Sequence, residues 1–309
     1  MADLTYDNLL VDVDGAVATI TLNRPEQLNA LSRGLLNDLY QCLRDLNPGD
    51  DVRCIRLRGN GRAFCPGYDL GPVPAGRRTP GAYGGGAQAA KKDGPGMADY
   101  GESAVALDRE SLREMIDRWL WMWNYRKPII AQVHGYCLSG GLDLIGACDI
   151  VWAAEGTLFG HPAARGMGIP VTIGMMPMRI GAMATKELLF TGDLFDAQEA
   201  KELGLVRRVL PADELDAYTL AFCQRVAMNP LDILSVHKHI TNRTLELMGI
   251  RTAAMEGAEF DSIAHLAPSF KEFGRRTMED GLRGALAWRD GPYSTGPLPD
   301  HDAAIRRQG

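Results

Sequence analysis

The sequence predicts an α/β protein in which a strand-rich core is followed by a helical C-terminal region. Short apolar runs at residues 52–57 and 129–133 have the length of buried strands, and each leads directly into a glycine-rich turn. Segments with strand and helix periodicity alternate along the first part of the chain, whereas the pattern from Lys186 onward is mostly helical. Such an order is typical of an α/β core that carries additional helices at its C-terminus.

The other elements follow from periodicity. Residues 11–22 alternate with a period of two around Asp14-Gly15, which predicts a hairpin of two strands. Residues 31–46 have apolar side chains at helical spacing, with Ser32 as the expected N-cap. Residues 111–125 predict a second amphipathic helix. Its apolar face carries Met115, Trp119, Met122 and Trp123. This face favours a position in the core, and it would also serve as a wall of a ligand pocket.

A segment at about 71–104 interrupts the pattern, because it is dense in Gly, Pro and small residues and has few large apolar side chains. It begins immediately after the first glycine turn. Two interpretations have equal support, a lid over a pocket and an unstructured insertion. The predicted organisation is a core at residues 1–205, which includes this insertion, and a C-terminal helical region at 206–309.

Composition excludes several classes of partner. The 309 residues are 46% hydrophobic with a net charge of −6, and no dense Lys/Arg tract is present, so neither nucleic acid nor an anionic membrane surface is expected as a partner. The six cysteines lack CxxC spacing and lie mostly in apolar segments, which predicts reduced, packed thiols and no metal site. Residues 1–10 lack a signal-peptide pattern and no apolar run reaches membrane-spanning length, so a cytoplasmic protein is expected.

Two glycine turns carry the residues with chemical potential. The first is Gly61-Arg62-Ala63-Phe64-Cys65-Pro66-Gly67-Tyr68-Asp69-Leu70, and the second is His134-Gly135-Tyr136-Cys137-Leu138-Ser139-Gly140-Gly141-Leu142-Asp143-Leu144, which runs into an apolar helix. Glycine lets a backbone approach a bound group, and N–H groups at a helix start point toward negative charge. Two such N–H donors converging on one carbonyl oxygen form an oxyanion hole, which stabilises an enolate more than the starting thioester.

With these turns and the motifs around them, the sequence resembles the crotonase superfamily, the enoyl-CoA hydratases and isomerases. The further matching motifs are Leu22-Asn23-Arg24-Pro25, Asn29-Ala30-Leu31, Ala147-Cys148-Asp149-Ile150, Phe159-Gly160-His161-Pro162, Gly168-Ile169-Pro170, Leu189-Phe190-Thr191-Gly192, Ala197-Gln198-Glu199-Ala200 and Gly204-Leu205-Val206. The resemblance implies a crotonase-like spiral of repeated ββα units with a C-terminal helical trimerisation region. It also implies a homotrimer or a dimer of trimers that binds an acyl-CoA thioester, with coenzyme A as part of the substrate and no separate cofactor.

The resemblance assigns roles to particular residues. The oxyanion donors correspond to the main-chain N–H groups of Tyr68 and Gly140, and Asp143 stands where the hydratases carry the first of two catalytic glutamates. Asp is shorter than Glu but retains the carboxylate, and its position in the first helical turn favours a general base. The alternative is that Asp143 only caps its own helix.

Ala163 stands where the hydratases carry their second glutamate, and a methyl group transfers no proton. The candidates to replace that glutamate are His161, Glu102, Asp108 and a water molecule held by Asp143. Of these, His161 has the intrinsic pKa best suited to proton transfer near neutrality, although a histidine fixed against the neighbouring turn is the simpler interpretation.

Other matching positions are expected to bind coenzyme A or to support the turns. The coenzyme A positions are Arg24, Leu28, Asn29, Ala63, Asp69 and Leu70. Asp69 is also expected to cap a helix after the first turn, and Lys271, Arg275 and Arg276 either reach a phosphate or are ordinary solvated charges. Structural roles are expected for three residues: His134 bonding a turn backbone, Asp149 joining strand to helix, and Arg165 in a surface or interface ion pair.

Enoyl-CoA hydration is the favoured reaction, with an atypical site that has Asp143 for the first glutamate and Ala163 for the second. Isomerisation of a double bond is an alternative, because it needs only one carboxylate to move a proton. Hydrolytic C–C cleavage of a β-dicarbonyl is another reaction open to the same enolate chemistry. A catalytically inactive acyl-CoA-binding protein is the alternative from outside the enzymes.

Overall fold

The computed structural model describes residues 4–70, 102–170 and 175–294. In these ranges the strands are β1 (Leu9–Asp14), β2 (Val17–Leu22), β3 (Cys54–Gly59), β4 (Ile129–Val133), β5 (Tyr136–Leu138), β6 (Ile150–Ala154), β7 (Leu158–Gly160), β8 (Leu194–Asp196) and β9 (Arg208–Leu210). The helices are α1 (Arg33–Asp45), α2 (Glu102–Trp123), α3 (Gly140–Gly146), α4 (Met176–Ile180), α5 (Ala182–Thr191), α6 (Ala197–Glu202), α7 (Ala212–Val226), α8 (Leu231–Leu247), α9 (Ile250–Ala264) and α10 (Pro268–Ser294). Short 3-10 turns lie at Pro25–Gln27 and Pro162–Ala164.

The main sheet has six strands in the order β1-β2-β3-β4-β6-β9. Strands β1 and β2 form the predicted antiparallel hairpin, and Gly15 in its turn has a φ of 56°. From β2 to β9 every pairing in this sheet is parallel. A second sheet of three strands, β5-β7-β8, lies beside the second glycine turn. The predicted α/β class with C-terminal helices is confirmed.

Several predicted elements match the structure closely. Strand β4 has the predicted bounds, and Ser32 caps α1 by accepting a hydrogen bond from the Leu35 N–H at 3.1 Å. The strand predicted at 52–57 is shifted to Cys54–Gly59, because its pairing with β2 runs from Cys54 opposite Val17 to Gly59 opposite Leu22. Periodicity alone does not show which residues of the two strands lie opposite each other.

Helix α2 is longer than the prediction of 111–125, since it begins at Glu102. Its early turns lack the Trp and Met residues that made the later part recognisable. Apart from its last residues, which enter α2, the 71–104 insertion falls outside the described residues, and so does the choice between a lid and an unstructured segment. The expected core position of the aromatic face is confirmed. The buried side chains of this face are Met115, Ile116, Trp119, Met122 and Trp123.

All six cysteines are buried free thiols, as predicted. Burial in apolar surroundings raises the pKa of the Cys42, Cys65 and Cys148 thiols to about 12. These thiols therefore stay protonated and act as small apolar side chains.

Polar side chains fix the ends of the core strands. The Asp149 carboxylate accepts a hydrogen bond from the Ile129 N–H at 2.7 Å and pairs with the Lys238 ammonium at 2.8 Å, so it joins β4 to α8. His134 Nε2 lies 2.9 Å from the Gly61 carbonyl oxygen and holds the first glycine turn against the end of β4. Both residues have the structural roles expected from the sequence.

Asn29 is wholly buried and joins the segment after β2 to the first glycine turn. Its side-chain oxygen accepts a hydrogen bond from the Arg24 N–H at 2.9 Å. Its amide nitrogen donates to the Asn60 and Ala63 carbonyl oxygens, each at 2.8 Å. Its φ of 65° lies in the left-handed region, which asparagine tolerates better than most residues. One side chain thus satisfies three backbone groups.

Replacing Asn29 by Ala is expected to lower the free energy of unfolding by about 2 to 4 kcal/mol, because it leaves these backbone groups unpaired and places Ala at positive φ. Urea denaturation measures the change. The matched control is Asn60→Ala, whose exposed side chain donates to Asn23, with an expected change within about 0.5 kcal/mol. Equal effects of the two substitutions would contradict the assigned role of Asn29.

Candidate active site

The first glycine turn is held on both sides by backbone hydrogen bonds. On one side the Leu31 N–H donates to the Gly67 carbonyl at 2.8 Å, and the Asp69 N–H donates to the Leu31 carbonyl at 3.2 Å. On the other side Cys65 exchanges hydrogen bonds with β5, donating to Tyr136 at 2.9 Å and accepting from Leu138 at 3.0 Å. The turn is therefore a fixed part of the core.

The two glycine turns touch, and their glycines permit the contact. A Cβ on Gly67 would lie 3.4 Å from the Gly140 nitrogen and 3.0 Å from the Ser139 Cβ, and the φ of Gly67 is 119°. A Cβ on Gly141 would lie 2.6 Å from the Cys65 carbonyl oxygen. Larger residues at these positions would separate the turns. The backbone segments of the two expected oxyanion donors are thereby brought together.

Ser139 shows that the second turn carries local strain. Its φ of 48° and ψ of −116° lie outside the common regions for a residue with a side chain. Its N–H donates to the Gly160 carbonyl at 2.9 Å, which ties the turn to the end of β7. Strained backbone that the surroundings hold in place is found preferentially at functional sites.

The Tyr68 side chain joins the two turns. A Cβ on Gly140 would lie 2.8 Å from the Tyr68 ring, so the ring covers the first residue of α3. The Tyr68 hydroxyl donates to Asp143 Oδ2 at 2.9 Å, and the indole N–H of Trp119 donates to that hydroxyl at 3.2 Å. Asp143 is wholly buried. A buried carboxylate that is held from the opposite turn can take or release a proton in a fixed geometry.

The resemblance considered only the backbone of Tyr68, so the sequence reasoning missed this hydroxyl. The signal was present, because a large phenol directly after Gly67 needs a neighbour for both its ring and its hydroxyl. Trp119 was correctly placed in the core, but its hydrogen bond to the site was also missed.

A second cluster of buried ionisable groups lies between α2 and α9. His265, which ends α9, has its Nδ1 2.7 Å from Asp108 Oδ2 and its Nε2 3.6 Å from Asp261 Oδ1. Asp261 Oδ1 also accepts the Ile169 N–H at 2.9 Å. All three ionisable side chains are buried. Asp108 was a candidate from the sequence, whereas Asp261 and His265 were missed because their helix pattern is that of an ordinary amphipathic helix.

The pKa values in this cluster shift in directions that its charges explain. Burial raises the pKa of Asp261 to about 6, and the negative charges of Asp108 and Asp143 contribute, while His265 acts in the opposite direction. Burial lowers the pKa of His265, but the hydrogen bond to Asp108 and the two carboxylate charges outweigh it and leave a raised value. Asp261 therefore keeps its proton to a higher pH than an exposed aspartate does, and His265 to a higher pH than an exposed histidine does.

The comparisons with known proteins address the family. The family model described as enoyl-CoA hydratase/isomerase matches residues 12–91 and 93–274. EchA13 of Mycobacterium tuberculosis, which is named as an enoyl-CoA hydratase, is 39% identical over 252 residues, covering 79% of this chain and 75% of that protein. A Rhizobium meliloti protein, also named as an enoyl-CoA hydratase, is 30% identical over 94% of this chain and 99% of its own length.

Solved structures show the same relationship. An enoyl-CoA hydratase structure from Mycobacterium smegmatis superimposes with a TM-score of 0.81 at 29% identity, covering 97% of this chain and 98% of that one. An enoyl-CoA hydratase/isomerase from Xanthobacter autotrophicus Py2 has a TM-score of 0.78 at 31% identity, with 93% and 98% coverage. The chain belongs to the enoyl-CoA hydratase/isomerase family. The predicted crotonase fold class and the enzyme type are thereby confirmed.

Relative to the hydratase pattern, the segment after β7 lacks its carboxylate. Ala163 lies in the 3-10 turn Pro162–Ala164, and its carbonyl accepts the Met167 N–H at 2.8 Å. Neighbouring His161 is buried, and neither ring nitrogen has a hydrogen-bond partner among the described residues. Burial and the charge of Arg289 lower the pKa of His161 to about 3, so its ring is neutral at physiological pH. A neutral, unpartnered ring is poorly suited to supply a proton there.

Other predicted residues have partners within the chain. Arg24 binds Asp69 Oδ2 at 2.8 Å and the Ala30 carbonyl at 2.5 Å. The helix that Asp69 is expected to cap falls outside the described residues, and the Asp69 carboxylate pairs with Arg24, which lies across the first turn. Leu28 has a left-handed φ of 53° at the end of the 3-10 turn, Ala63 is buried in the first turn, and Leu70 is its last described residue. The side chain of Glu102, at the start of α2, falls outside the described residues.

Basic residues of the C-terminal region are also engaged. Arg275 pairs with Glu272 and Glu279, and Arg276 pairs with Glu272, all on α10. These two fit the solvated-charge alternative. The expected ion pair of Arg165 is present, and its buried guanidinium binds the partly exposed carboxylates of Asp193 at 2.7 Å and Asp290 at 3.3 Å.

Among the described residues, no helix combines the length and apolar content needed to cross a bilayer.

The raised pKa of Asp261 makes a prediction about stability. Since the folded value of about 6 exceeds the unfolded value of about 3.9, the native state binds more protons between these pH values. Stability from this group is therefore full below about pH 4 and falls as the pH rises to about 6. Asp261→Asn removes this loss, so its advantage over the wild type is expected to grow across the window toward about 3 kcal/mol.

Urea denaturation at a series of pH values measures this difference. Glu256→Gln, an exposed carboxylate on the same helix, is the control and is expected to change stability by less than about 0.5 kcal/mol at every pH. A pH-independent difference between wild type and Asp261→Asn would show that Asp261 does not titrate in this range.

Proposed function

We propose that the protein is an acyl-CoA enzyme that hydrates an enoyl-CoA thioester. The thioester oxygen accepts hydrogen bonds from the main-chain N–H groups of Tyr68 and Gly140, which stabilise the negative charge that develops on the enolate. Asp143 is the base that takes a proton from the attacking water. The observation that carries this proposal is the contact between the two glycine turns, with the buried Asp143 held across it by the Tyr68 hydroxyl.

The Tyr68 hydroxyl orients the base. It donates to one carboxylate oxygen and itself accepts the Trp119 N–H, so both rings are fixed relative to α3. Because the Tyr68 hydroxyl fixes one oxygen of the Asp143 carboxylate, the orientation of the other oxygen is fixed as well. Because Asp is shorter than the glutamate of the hydratases, a fixed orientation limits the positions from which it can reach a water molecule.

An apolar groove supports an acyl substrate. It lies between α1 and α2 and is lined by Leu36, Leu39, Tyr40, Leu43, Met115, Arg118, Trp119 and Met122. Trp119 belongs both to this groove and to the hydrogen-bonded chain that ends at Asp143. An apolar surface next to a few placed polar groups is typical of small-molecule sites. Coenzyme A enters as part of the substrate, and the proposed reaction needs no further cofactor.

Exposed apolar side chains on the C-terminal helices support assembly into a homotrimer or a dimer of trimers. The most exposed of those on α5, α8 and α9 are Met183, Phe190, Val236, Ile240, Leu247, Phe260 and Ile263. Large exposed apolar residues on neighbouring helices are typical of interfaces. We place the assembled enzyme in the cytoplasm.

Isomerisation is the second candidate, and Ala163 favours it. With Asp143 alone, one carboxylate could remove a proton from one carbon and return it to another, and no water would be added.

Incubation of the protein with a panel of enoyl-CoA esters in D₂O separates these functions. Mass spectrometry that detects water addition supports hydration, whereas exchange at the α-carbon without water addition supports isomerisation. Binding with neither change indicates an inactive acyl-CoA-binding protein and overturns the proposed hydratase.

Asp143→Asn is expected to reduce turnover by roughly 10²- to 10⁴-fold with little change in affinity for the CoA ester, because the amide cannot accept the proton. Steady-state kinetics and isothermal titration with the substrate identified by the panel measure both quantities. Asp117→Asn, an exposed carboxylate on α2, is the control and should retain wild-type turnover. Unchanged turnover in Asp143→Asn would refute the assigned base.

Tyr68→Phe is expected to lower kcat by roughly ten- to hundredfold, because the buried Asp143 carboxylate loses its phenol donor while the ring remains over Gly140. The matched control is Tyr125→Phe, since the Tyr125 hydroxyl donates to the Leu43 carbonyl at 2.8 Å away from the two turns. It should lower stability and leave kcat unchanged. A wild-type kcat in Tyr68→Phe would mean that the hydroxyl does not position the base.

A further inference from the structure

We propose that Asp261 supplies the second proton-transfer group of the active site, taking the role that Ala163 cannot perform. This inference rests on the proposed hydration of a CoA thioester. It assigns the group to α9 rather than to the segment that follows β7. His265 and Asp108 act as positioning residues for it.

The Asp261 carboxylate contacts the segment that contains Ala163. Asp261 Oδ1 accepts the Ile169 N–H at 2.9 Å, so the side chain reaches from α9 to the segment that begins at His161 and contains Ala163. A Cβ on Gly168 would lie only 2.5 Å from the same oxygen, and the φ of Gly168 is 128°. Glycine at 168 therefore leaves the space that the carboxylate occupies. Asp261 therefore contacts the 161–170 segment, which has Ala163 where the hydratases carry a glutamate.

Asp261 is linked electrostatically to Asp143, the proposed base. The negative charge of Asp143 on α3 raises the pKa of Asp261, together with that of Asp108 on α2. The charged groups that face Asp261 are therefore Asp108, Asp143 and His265, and the Ile169 N–H is the donor from the 161–170 segment. The two carboxyl groups are therefore close enough for the charge of one to act on the other.

The buried groups around Asp261 include more acidic than basic side chains. Asp108, Asp143 and Asp261 are three buried carboxyl groups, and His265 is the imidazole that faces Asp261. Even with His265 protonated, ionisation of all three would leave net negative charge in a buried region, which burial strongly disfavours. Asp143 accepts the Tyr68 hydroxyl and Asp108 accepts from His265, whereas the pKa of Asp261 is raised to about 6. Asp261 therefore retains a proton at pH values at which an exposed aspartate is already ionised.

These assignments give a balanced reaction. Water attacks the β-carbon of the enoyl thioester while Asp143 takes one of its protons, and the electron pair of the C=C bond moves onto the thioester oxygen. Asp261 then delivers its proton to the α-carbon as the enolate collapses. The product gains H and OH, Asp143 ends protonated, and Asp261 ends ionised. Transfer of a proton from Asp143 to Asp261 through solvent restores both.

Asp261→Asn tests the proposal in the full-length protein with the ester that the wild type turns over. Asparagine keeps the shape and an oxygen for the Ile169 N–H, but it has no proton to deliver. We expect kcat to fall roughly hundredfold or more with KM within about threefold. The unfolding measurements on the same variant show whether it is folded. Glu256→Gln is the control on the same helix and should behave as the wild type.

The pH profile separates proton delivery from a structural role. In the wild type, kcat is expected to fall as the pH rises through about 6, because Asp261 must be protonated. His265→Gln removes the positive charge that lowers the Asp261 pKa, so this limb should move to higher pH. A limb that does not move in His265→Gln, or an Asp261→Asn variant with wild-type kcat, would overturn the assignment.

The two proposals fail in different ways. If the wild type adds water and Asp143→Asn is inactive while Asp261→Asn is fully active, hydration stands and only the role of Asp261 is refuted. If the wild type exchanges α-hydrogen without adding water, hydration is refuted and loss of that exchange in Asp261→Asn supports proton delivery to the α-carbon. If the wild type does neither, both proposals are overturned.

Discussion

The contact between the two glycine turns is the constraint on which the site depends. It needs Gly67 and Gly141 to have no side chain, because a Cβ at either position would lie against the opposite backbone. It also needs the parallel order of β3 and β4, since adjacent parallel strands end at the same edge of the sheet and release their turns side by side. The two proposed oxyanion donors and Asp143 are placed relative to this contact.

The site also buries ionisable groups whose charged forms would be more stable in solvent. Burial disfavours ionisation of Asp261, and Asp108 and Asp143 add negative charge to the same region. His265 offsets part of this, and so does the Ile169 N–H. A core built for stability alone would place apolar side chains here, because a buried carboxylate with incomplete compensation costs free energy. The presence of these buried carboxyl groups despite their free-energy cost is consistent with a chemical use for them.

Features that depend on neighbours in the sequence were predictable. The Ser32 cap, the bounds of β4 and the turn at Asp14-Gly15 follow from local propensity and spacing. Features that depend on distant partners were not, because periodicity contains no information about them. The Tyr68 hydroxyl meets a carboxylate 75 residues away, and Asp108 meets His265 at a separation of 157 residues. The pairing of the Asp69 carboxylate with Arg24, 45 residues away, is another such contact.

The geometry explains how a proton-transfer group can change its position in the chain while the oxyanion donors keep theirs. The donors are backbone groups, so their placement requires the whole turn-to-turn contact. A carboxylate requires only a side chain that reaches the same space, and α9 lies against both α2 and the 161–170 segment. A methyl group at Ala163 and the open position at Gly168 leave room for a side chain from another element. Loss of a carboxylate from one segment therefore does not remove two-carboxylate chemistry when a facing helix can restore it.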